Sequence, residues 1–500
     1  MSLVLDQVLI THNPATGAEV GRVRTTALEA VGEIVARARS AQVQWSTTPW
    51  SVRKHILAAW WKSLERKADV WADLIRDEIG KPRIEALSGD VIATLDAVRW
   101  TVRHGGKALK CRRMAVGWQR FLLMPAGRLE WHPVGVVGII GTWNYPLFLN
   151  APPIIHALAA GNAVVWKPSE LAIRTGQMLQ QSFDEAGFPP GLVTAVFGGA
   201  AVGQALVDSD LDKGMFTGGI DNGRRVLSAL GARGIPAVAE LSGYDPAIIL
   251  PDAPRDPTAR ALCWAAFVGC GQTCVAVKRV YVVGDARPWA DALAAQAKAL
   301  KVGDPSREET DLGPMITETA RDRFSAMVQA SVRAGARVLA GGTALSGHGW
   351  FYAPTVLLAE TPEPEEALAG SFGPVLLVRG VADTDSAVAA ANASEFALGA
   401  SVWGRNRKNA RALARRLQAG MVCVNEAVTP TAHAAAPFGG CKASGYGRTH
   451  GVLGLREFAT PRVFFDRRPG GFRPQLFPYA NSRSIEKFLS LYRRVFHSRT

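Results

Sequence analysis

The sequence predicts an α/β protein built on mainly parallel sheets with helices on both faces. Two observations predict it. Residues 133–166 contain no Asp, Glu, Lys or Arg, yet Pro, Asn and Gly break them into short pieces. They read as buried strand (VGVVGII), loop (GTWNYP), helix (PPIIHALAAG) and buried strand (NAVVWK). That is the order of a strand–helix–strand unit covered on both faces. The same alternation then runs through most of the chain, which points to an open, mainly parallel sheet.

Taken in order, the segments after NPATG are helical. ALEAVGEIVARARSAQ and HILAAWWKSLERKADVWADLIRDEIG place apolar residues at three-to-four spacing, and IEALSGDVIATLDAVRWTV predicts a third helical stretch. From 134 to about 250, the strands VGVVGII, NAVVWK, LVTAVFGG, KGMFTGG, PAVAEL and AIIL alternate with helices. From 260 to 455 the pattern repeats through RVYVV, YAPTVLL, VLLVRG, GASVWG and MVCVN, which predicts a second α/β domain. A basic, aromatic tail follows RPGG.

Composition agrees. Of 500 residues, 48% are hydrophobic and 20% charged, as in a globular protein of more than one domain. The six cysteines are too scattered for a disulfide framework and lack zinc spacing, so no metal is expected and a reducing, cytoplasmic setting is the simplest reading. MSLVLDQVLITHNPATG lacks the basic start of a signal peptide. A membrane span needs ~20 continuous apolar residues, which the prolines of 133–166 exclude.

The net charge of +14 is concentrated. Residues 99–120 carry seven Lys/Arg and no acid; residues 466–500 carry eight against Asp466 and Glu486. Two solvated faces would explain this, as would a surface for anionic lipid. In the tail, Ile485, Phe488, Leu489, Tyr492, Val495 and Phe496 fall on one helical face, with Arg483, Lys487, Arg494 and Arg499 mainly elsewhere. That pattern suits a helix docked on protein, or a basic amphipathic helix peripheral at the inner membrane surface. No nucleic-acid partner is expected.

Several residues could carry chemistry. FTGGIDNG places Gly218, Gly219 and Gly223 before a helix, a turn that can bring a dinucleotide close to backbone N–H groups. Lys167 and Glu170, in KPSE, directly follow a predicted strand, and strand ends of open α/β sheets bind nucleotides. Cys274 follows Gly271, Gln272 and Thr273; a nucleophilic thiol needs access and donors for an oxyanion. Asn144 is polar within an apolar segment, and Glu240 ends an apolar strand, where a carboxylate with a raised pKa could serve as general base. Each has a bland alternative as core thiol, satisfied amide or surface loop.

The ordered set TWNYP, AGNAVVWKPSE, FTGG, ELSG, GQTC, FGPV and PFGGCKASGYGR resembles the aldehyde dehydrogenase superfamily, from NPATG at 13 to about 465. The resemblance implies that family's fold: a Rossmann-like cofactor domain (1–112 and 134–240), a catalytic domain (241–455) and bridging segments (113–133 and 456–470) that build a homodimer or homotetramer, with 471–500 as an appended tail. It implies NAD-dependent oxidation of an aldehyde, with NADP as the alternative cofactor. Cys274 is then the nucleophile, Asn144 and the Cys274 backbone N–H the oxyanion hole, and Glu240 the base that activates water. Lys167 and Glu170 hold the adenine ribose, and Glu170 disfavours a 2′-phosphate. Thr142, Trp143 and the FTGG glycines lie along the cofactor, with Phe372 beside the nicotinamide. Two rivals are a CoA-acylating enzyme, which has no need of Glu240, and a non-catalytic member of the fold.

The chain departs from the family pattern in places. GSFGP puts Gly370 where a carboxylate usually grips the nicotinamide ribose, with Glu365 or Glu366 as replacements if the loop shifts. FTGS becomes FTGG, and ELGGK becomes ELSGY with Tyr244. Cys270 stands at a small-residue position, as apolar filler or as a disulfide partner for Cys274. WNYPLFL resembles the fatty-aldehyde branch, whereas PFGGCKASGYGR resembles the general one. Ala432, Ala434, Ala435 and Ala436, with no Lys or Arg in the lining segments, imply a roomy apolar pocket for a lipophilic or aromatic aldehyde.

Overall fold

A computed structural model describes residues 8–117, 124–467, 469 and 482–496. Two sheets organise them. The first has six strands in the order Gly445–Tyr446, Ala237–Glu240, Lys213–Thr217, Val136–Ile140, Ala163–Lys167, Val193–Ala195. All its pairings are parallel except that of Gly445–Tyr446 with Ala237–Glu240. Val136–Ile140 and Ala163–Lys167 are almost wholly buried, which is why their sequences run apolar without alternation.

The helices predicted before residue 110 cover this sheet. Trp45 donates its indole N–H to the Leu158 carbonyl at 2.9 Å, and Trp60 to Ser182 Oγ at 2.9 Å. Trp60 also stacks on Phe183 at 4.7 Å, so the large rings find both apolar contact and a polar partner. Helix Ala151–Ala160 is apolar on every side because every side is buried.

The third predicted helix is not regular. Residues Ala86–Ile92 form a π-helical turn ahead of helix Ala93–Ala108. The cause is distant in sequence. Asp90 is fully buried and paired with Lys81 Nζ at 2.7 Å, and its carboxylate accepts the backbone N–H groups of Leu147 and Phe148 at 3.2 Å each. A π-bulge is common where function bends a helix; here it clamps the loop that carries Asn144.

The second sheet has seven strands in the order Arg337–Ala340, Thr355–Ala359, Val375–Val381, Val277–Val283, Asp245–Ile249, Gly399–Trp403, Met421–Val424. Only the first of these is antiparallel to its neighbour. Arg112–Arg113, Arg128–Pro133 and Ala459–Phe464 form a separate antiparallel sheet. Ala459–Phe464 lies at its edge, with Val463, Phe464 and Phe465 exposed. The tail helix is Ser482–Phe496, and Leu489, Leu491 and Tyr492 on it are exposed. Among the described residues no helix is long and apolar enough to cross a membrane.

Candidate functional site

In the first sheet, Val136–Ile140 has Ala163–Lys167 on one side and Lys213–Thr217 on the other, so the strand order reverses there. Ligands bind at such a switch point, beyond the carboxyl ends of the strands. The candidate residues leave those ends. Thr142, Trp143 and Asn144 follow Ile140, Gly218 and Gly219 follow Thr217, and Glu240 ends its own strand. From the second sheet, Cys274 arrives on the loop before Val277. Together with Phe372 and Gly370 these residues line one cavity of about 390 Å³.

Asn144 is buried, and its amide is held from both ends. Its oxygen accepts the Thr142 hydroxyl at 3.0 Å, and one of its N–H groups goes to the Gln272 carbonyl at 3.0 Å. An amide has two N–H groups, and the second is left for the cavity. Thr142 thereby orients Asn144 as well as lining the cavity.

Cys274 is partly exposed on a loop of unusual geometry. Gly269, Cys270 and Gly271 all have left-handed φ, at 64°, 56° and 65°. Several bonds bind the loop down: Gly269 N–H to Glu85 Oε2 (3.0 Å), Lys278 Nζ to the Gly271 carbonyl (2.8 Å), and Thr273 Oγ1 to the Val268 carbonyl (3.1 Å). Lys278 also reaches the Gly373 carbonyl, tying this loop to the one bearing Phe372. Burial pushes the Cys274 thiol up to about 12, aided by Asp245 and Glu240 and opposed by the backbone N–H groups of Val275 and Cys274. The resting thiol therefore keeps its proton. Cys270 is a free thiol like Cys274, but buried.

Glu240 is 6% exposed, and neither carboxylate oxygen has a hydrogen-bond partner. A buried carboxylate left so is costly, and native proteins rarely leave one without use. Burial holds its pKa well above the ordinary carboxylate value, with Arg448 pulling the other way.

The cofactor candidates divide. Trp143 meets Phe372 edge-on at 5.7 Å, and both face the large cavity with Gly218 and Gly219. Gly223 is absent from that lining; a Cβ there would collide with Leu241, so Gly223 lets its helix lie close on the sheet. Lys167 is buried, bonds Glu170 Oε2 at 3.1 Å, and stands at the end of the neighbouring strand outside the main cavity.

The missing carboxylate is not replaced from upstream. Glu365 is taken up by Arg279 (3.0 Å), Arg379 (3.3 Å) and the Tyr281 hydroxyl (2.5 Å). Tyr244 belongs to the same cluster, with Arg279 4.7 Å from its ring and its hydroxyl on the Glu365 carbonyl. Glu366 does not line the cavity either. Arg279, fully buried, claims the carboxylate because a buried guanidinium must be neutralised.

A second cavity, about 200 Å³, is also lined by Cys274. Phe148, Leu149, Trp264, Val268, Val428 and Phe438 make much of its wall apolar, and among the described residues no Lys or Arg lines it. Of the four alanines expected there, only Ala432 does; Ala434 packs instead with Phe148, Ala93 and Ala97. Sequence reasoning missed Glu85, which lines this cavity and is pushed up to about 7 by burial, against Lys81. It also missed His450, which lines both cavities. Neither sits in a motif with an intrinsic chemical signature.

The chain matches the model of the aldehyde dehydrogenase family over residues 6–464. It is 33% identical over 475 residues to a 4,4'-diapolycopene aldehyde oxidase from a Methylomonas species, covering 94% of this chain and 88% of that protein. To the benzaldehyde dehydrogenase [NAD(+)] of Pseudomonas putida it is 34% identical over 460 residues, covering 89% and 90% respectively. Among solved structures, it superposes on a Mycobacterium tuberculosis aldehyde dehydrogenase complexed with NAD+ at a TM-score of 0.89, with 29% identity, over 94% of this chain and 97% of that one.

Proposed function

Because the chain belongs to the aldehyde dehydrogenase family, we propose that it oxidises a lipophilic or aromatic aldehyde to the carboxylate through a covalent intermediate on Cys274, with NAD as cofactor. One observation carries this: Cys274, the Asn144 amide and the unpartnered Glu240 carboxylate line a single cavity. The Cys274 thiol gives its proton to solvent, and sulfur adds to the carbonyl carbon. The developing oxyanion takes the second Asn144 N–H and the Cys274 backbone N–H. A bound nicotinamide dinucleotide supplies the acceptor for the hydride that leaves that carbon. Glu240 then removes a proton from water, whose oxygen attacks the thioester, breaking the C–S bond and freeing the carboxylate and the thiol. A CoA-acylating route would leave Glu240 without a task. An aldehyde panel ordered by chain length and aromaticity, run with NAD and NADP and read by nicotinamide absorbance, tests the reading; no reduction of either cofactor by any aldehyde would refute it.

The residues present fit such a cofactor. Trp143, Phe372 and two glycines border the larger cavity, and Glu170, ion-paired with Lys167 at 3.1 Å, would disfavour a 2′-phosphate. The departures at Gly219 and Gly370 have opposite consequences. Gly219 has φ −70, ψ 152, open to any residue, and a Cβ there meets nothing within 4 Å. Gly219→Ser is expected to tighten NAD by about 0.5–1.5 kcal/mol through a new hydroxyl bond. Gly370 has φ +74, and a Cβ there would press on Phe396 at 3.2 Å. Gly370→Glu is expected to destabilise the fold by about 1–2 kcal/mol, the left-handed penalty, with no gain in NAD affinity. Calorimetric titration and thermal unfolding of both variants check this.

For partners beyond the substrate, the edge strand Ala459–Phe464, with Val463 and Phe464 exposed, supports a homo-oligomer, since an edge left unpaired among the described residues invites pairing with a second copy. The exposed apolar residues and the basic charge of the tail helix support binding to anionic membrane surfaces, where lipophilic aldehydes partition. Full-length protein is expected to sediment with anionic vesicles at low salt and to be released at about 1 M salt, where the Debye length falls to ~3 Å. A 1–470 truncation should stay in solution. Equal sedimentation of both proteins would reject the membrane role.

A further inference from the structure

His450 shows three features that together point to a ligand. Its backbone stands at φ 59, ψ 160, a region that essentially only glycine occupies. It is held there from both sides: Phe438 and Thr449 exchange backbone hydrogen bonds of 2.8 and 2.7 Å, and the His450 carbonyl accepts Gly454 N–H at 2.9 Å. The side chain is 3% exposed, yet its Nδ1 has no hydrogen-bond partner. And the residue lines both cavities, so it stands where they adjoin near Cys274.

The ring itself is well oriented. Phe148 stacks on it at 5.1 Å and 14°, and Phe438 lies 6.3 Å away. Both of these rings also line the second cavity. If stacking were the only purpose, phenylalanine would serve with no unmet polar atom. Burial pushes the imidazole down to about 4, so at neutral pH it is uncharged and carries one N–H and one lone pair.

We propose that His450 is a substrate-recognition residue, whose imidazole hydrogen-bonds a hydroxyl carried on the skeleton of an otherwise apolar aldehyde. A hydroxyl both donates and accepts, so it suits either ring tautomer. A carboxylate suits the site less well, because among the described residues the second cavity is lined by Glu85 and by no Lys or Arg. The assignment rests on the reading that this cavity delivers an aldehyde to Cys274.

The test compares kcat/KM for matched pairs: benzaldehyde with its three hydroxybenzaldehydes, and hexanal with 6-hydroxyhexanal. The wild-type enzyme is expected to prefer at least one hydroxylated member by about tenfold, the worth of one hydrogen bond. His450→Phe keeps the stacking and should bring that ratio close to one. His450→Asn keeps a donor and an acceptor on the side chain, and should retain part of the preference. A merely structural histidine would lower both members of a pair together and leave the ratio unmoved. The proposal is overturned if the wild type prefers no hydroxylated aldehyde, or if the preference survives in His450→Phe. Failure of the wild type to oxidise any aldehyde would instead overturn the reading of the site on which the proposal rests.

Discussion

Cys274→Ser is expected to abolish turnover of every aldehyde while leaving NAD binding in place. The reacting bond is the sulfur–carbon bond, and a serine hydroxyl offers no comparably acidic or polarisable anion. Removal of a nucleophile costs on the order of 10⁴–10⁶-fold in turnover, well beyond the effect of any neighbouring residue. Cys270→Ser is the control. That thiol is buried and absent from the lining of both principal cavities, and burial raises its pKa too. Steady-state cofactor reduction and calorimetric NAD titration on both variants give the answer. An active Cys274→Ser beside an inactive Cys270→Ser would reverse the assignment. Alkylation supplies a second readout. With the Cys274 thiol pushed up to about 12 in the free enzyme, inactivation by iodoacetamide should be slow at neutral pH and accelerate as the solution becomes alkaline.

Glu240→Gln should separate the two halves of the reaction. Formation of the thioester can proceed with solvent as the proton acceptor, so a rapid burst of reduced cofactor is expected to survive. Hydrolysis loses its base, and the slow phase should fall by roughly 10²–10⁴-fold. The pH dependence follows from the direction of the shift. Burial raises the Glu240 pKa, so lowering the pH protonates the carboxylate sooner than it would an exposed one, and the basic form returns only above the raised value. The slow phase of the wild type should therefore climb with pH through that region, and this limb should vanish in Glu240→Gln. Stopped-flow traces across a pH series measure both. An unchanged steady-state rate would remove Glu240 from the mechanism.

Much of the architecture was legible before any coordinates. Val136–Ile140 and Ala163–Lys167 announce themselves as uncharged apolar runs, because a strand covered on both faces has no polar side to show. The positions of Asn144, Gly219 and Glu240 at strand ends followed from the same punctuation. Other features depend on partners far away in the chain. The π-helical turn at Ala86–Ile92 forms around Asp90, whose carboxylate is claimed by Lys81 and by the backbone at 147–148. The fate of Glu365 was decided by two arginines on adjacent strands of the second sheet, and Tyr244 joined them.

Local pattern along the chain was enough for the order of the main elements, the fold class and the candidates for the chemistry. Hydrophobic periodicity and residue type are local properties, and they survive in the unfolded chain. Which polar groups go unsatisfied depends on the folded arrangement. Glu240 and His450 matter because nothing in the fold answers their hydrogen-bonding capacity, and Gly370 cannot simply be refilled because its backbone is left-handed. Burial, partnership and backbone strain exist only once distant segments meet, so no reading of neighbours along the chain could supply them.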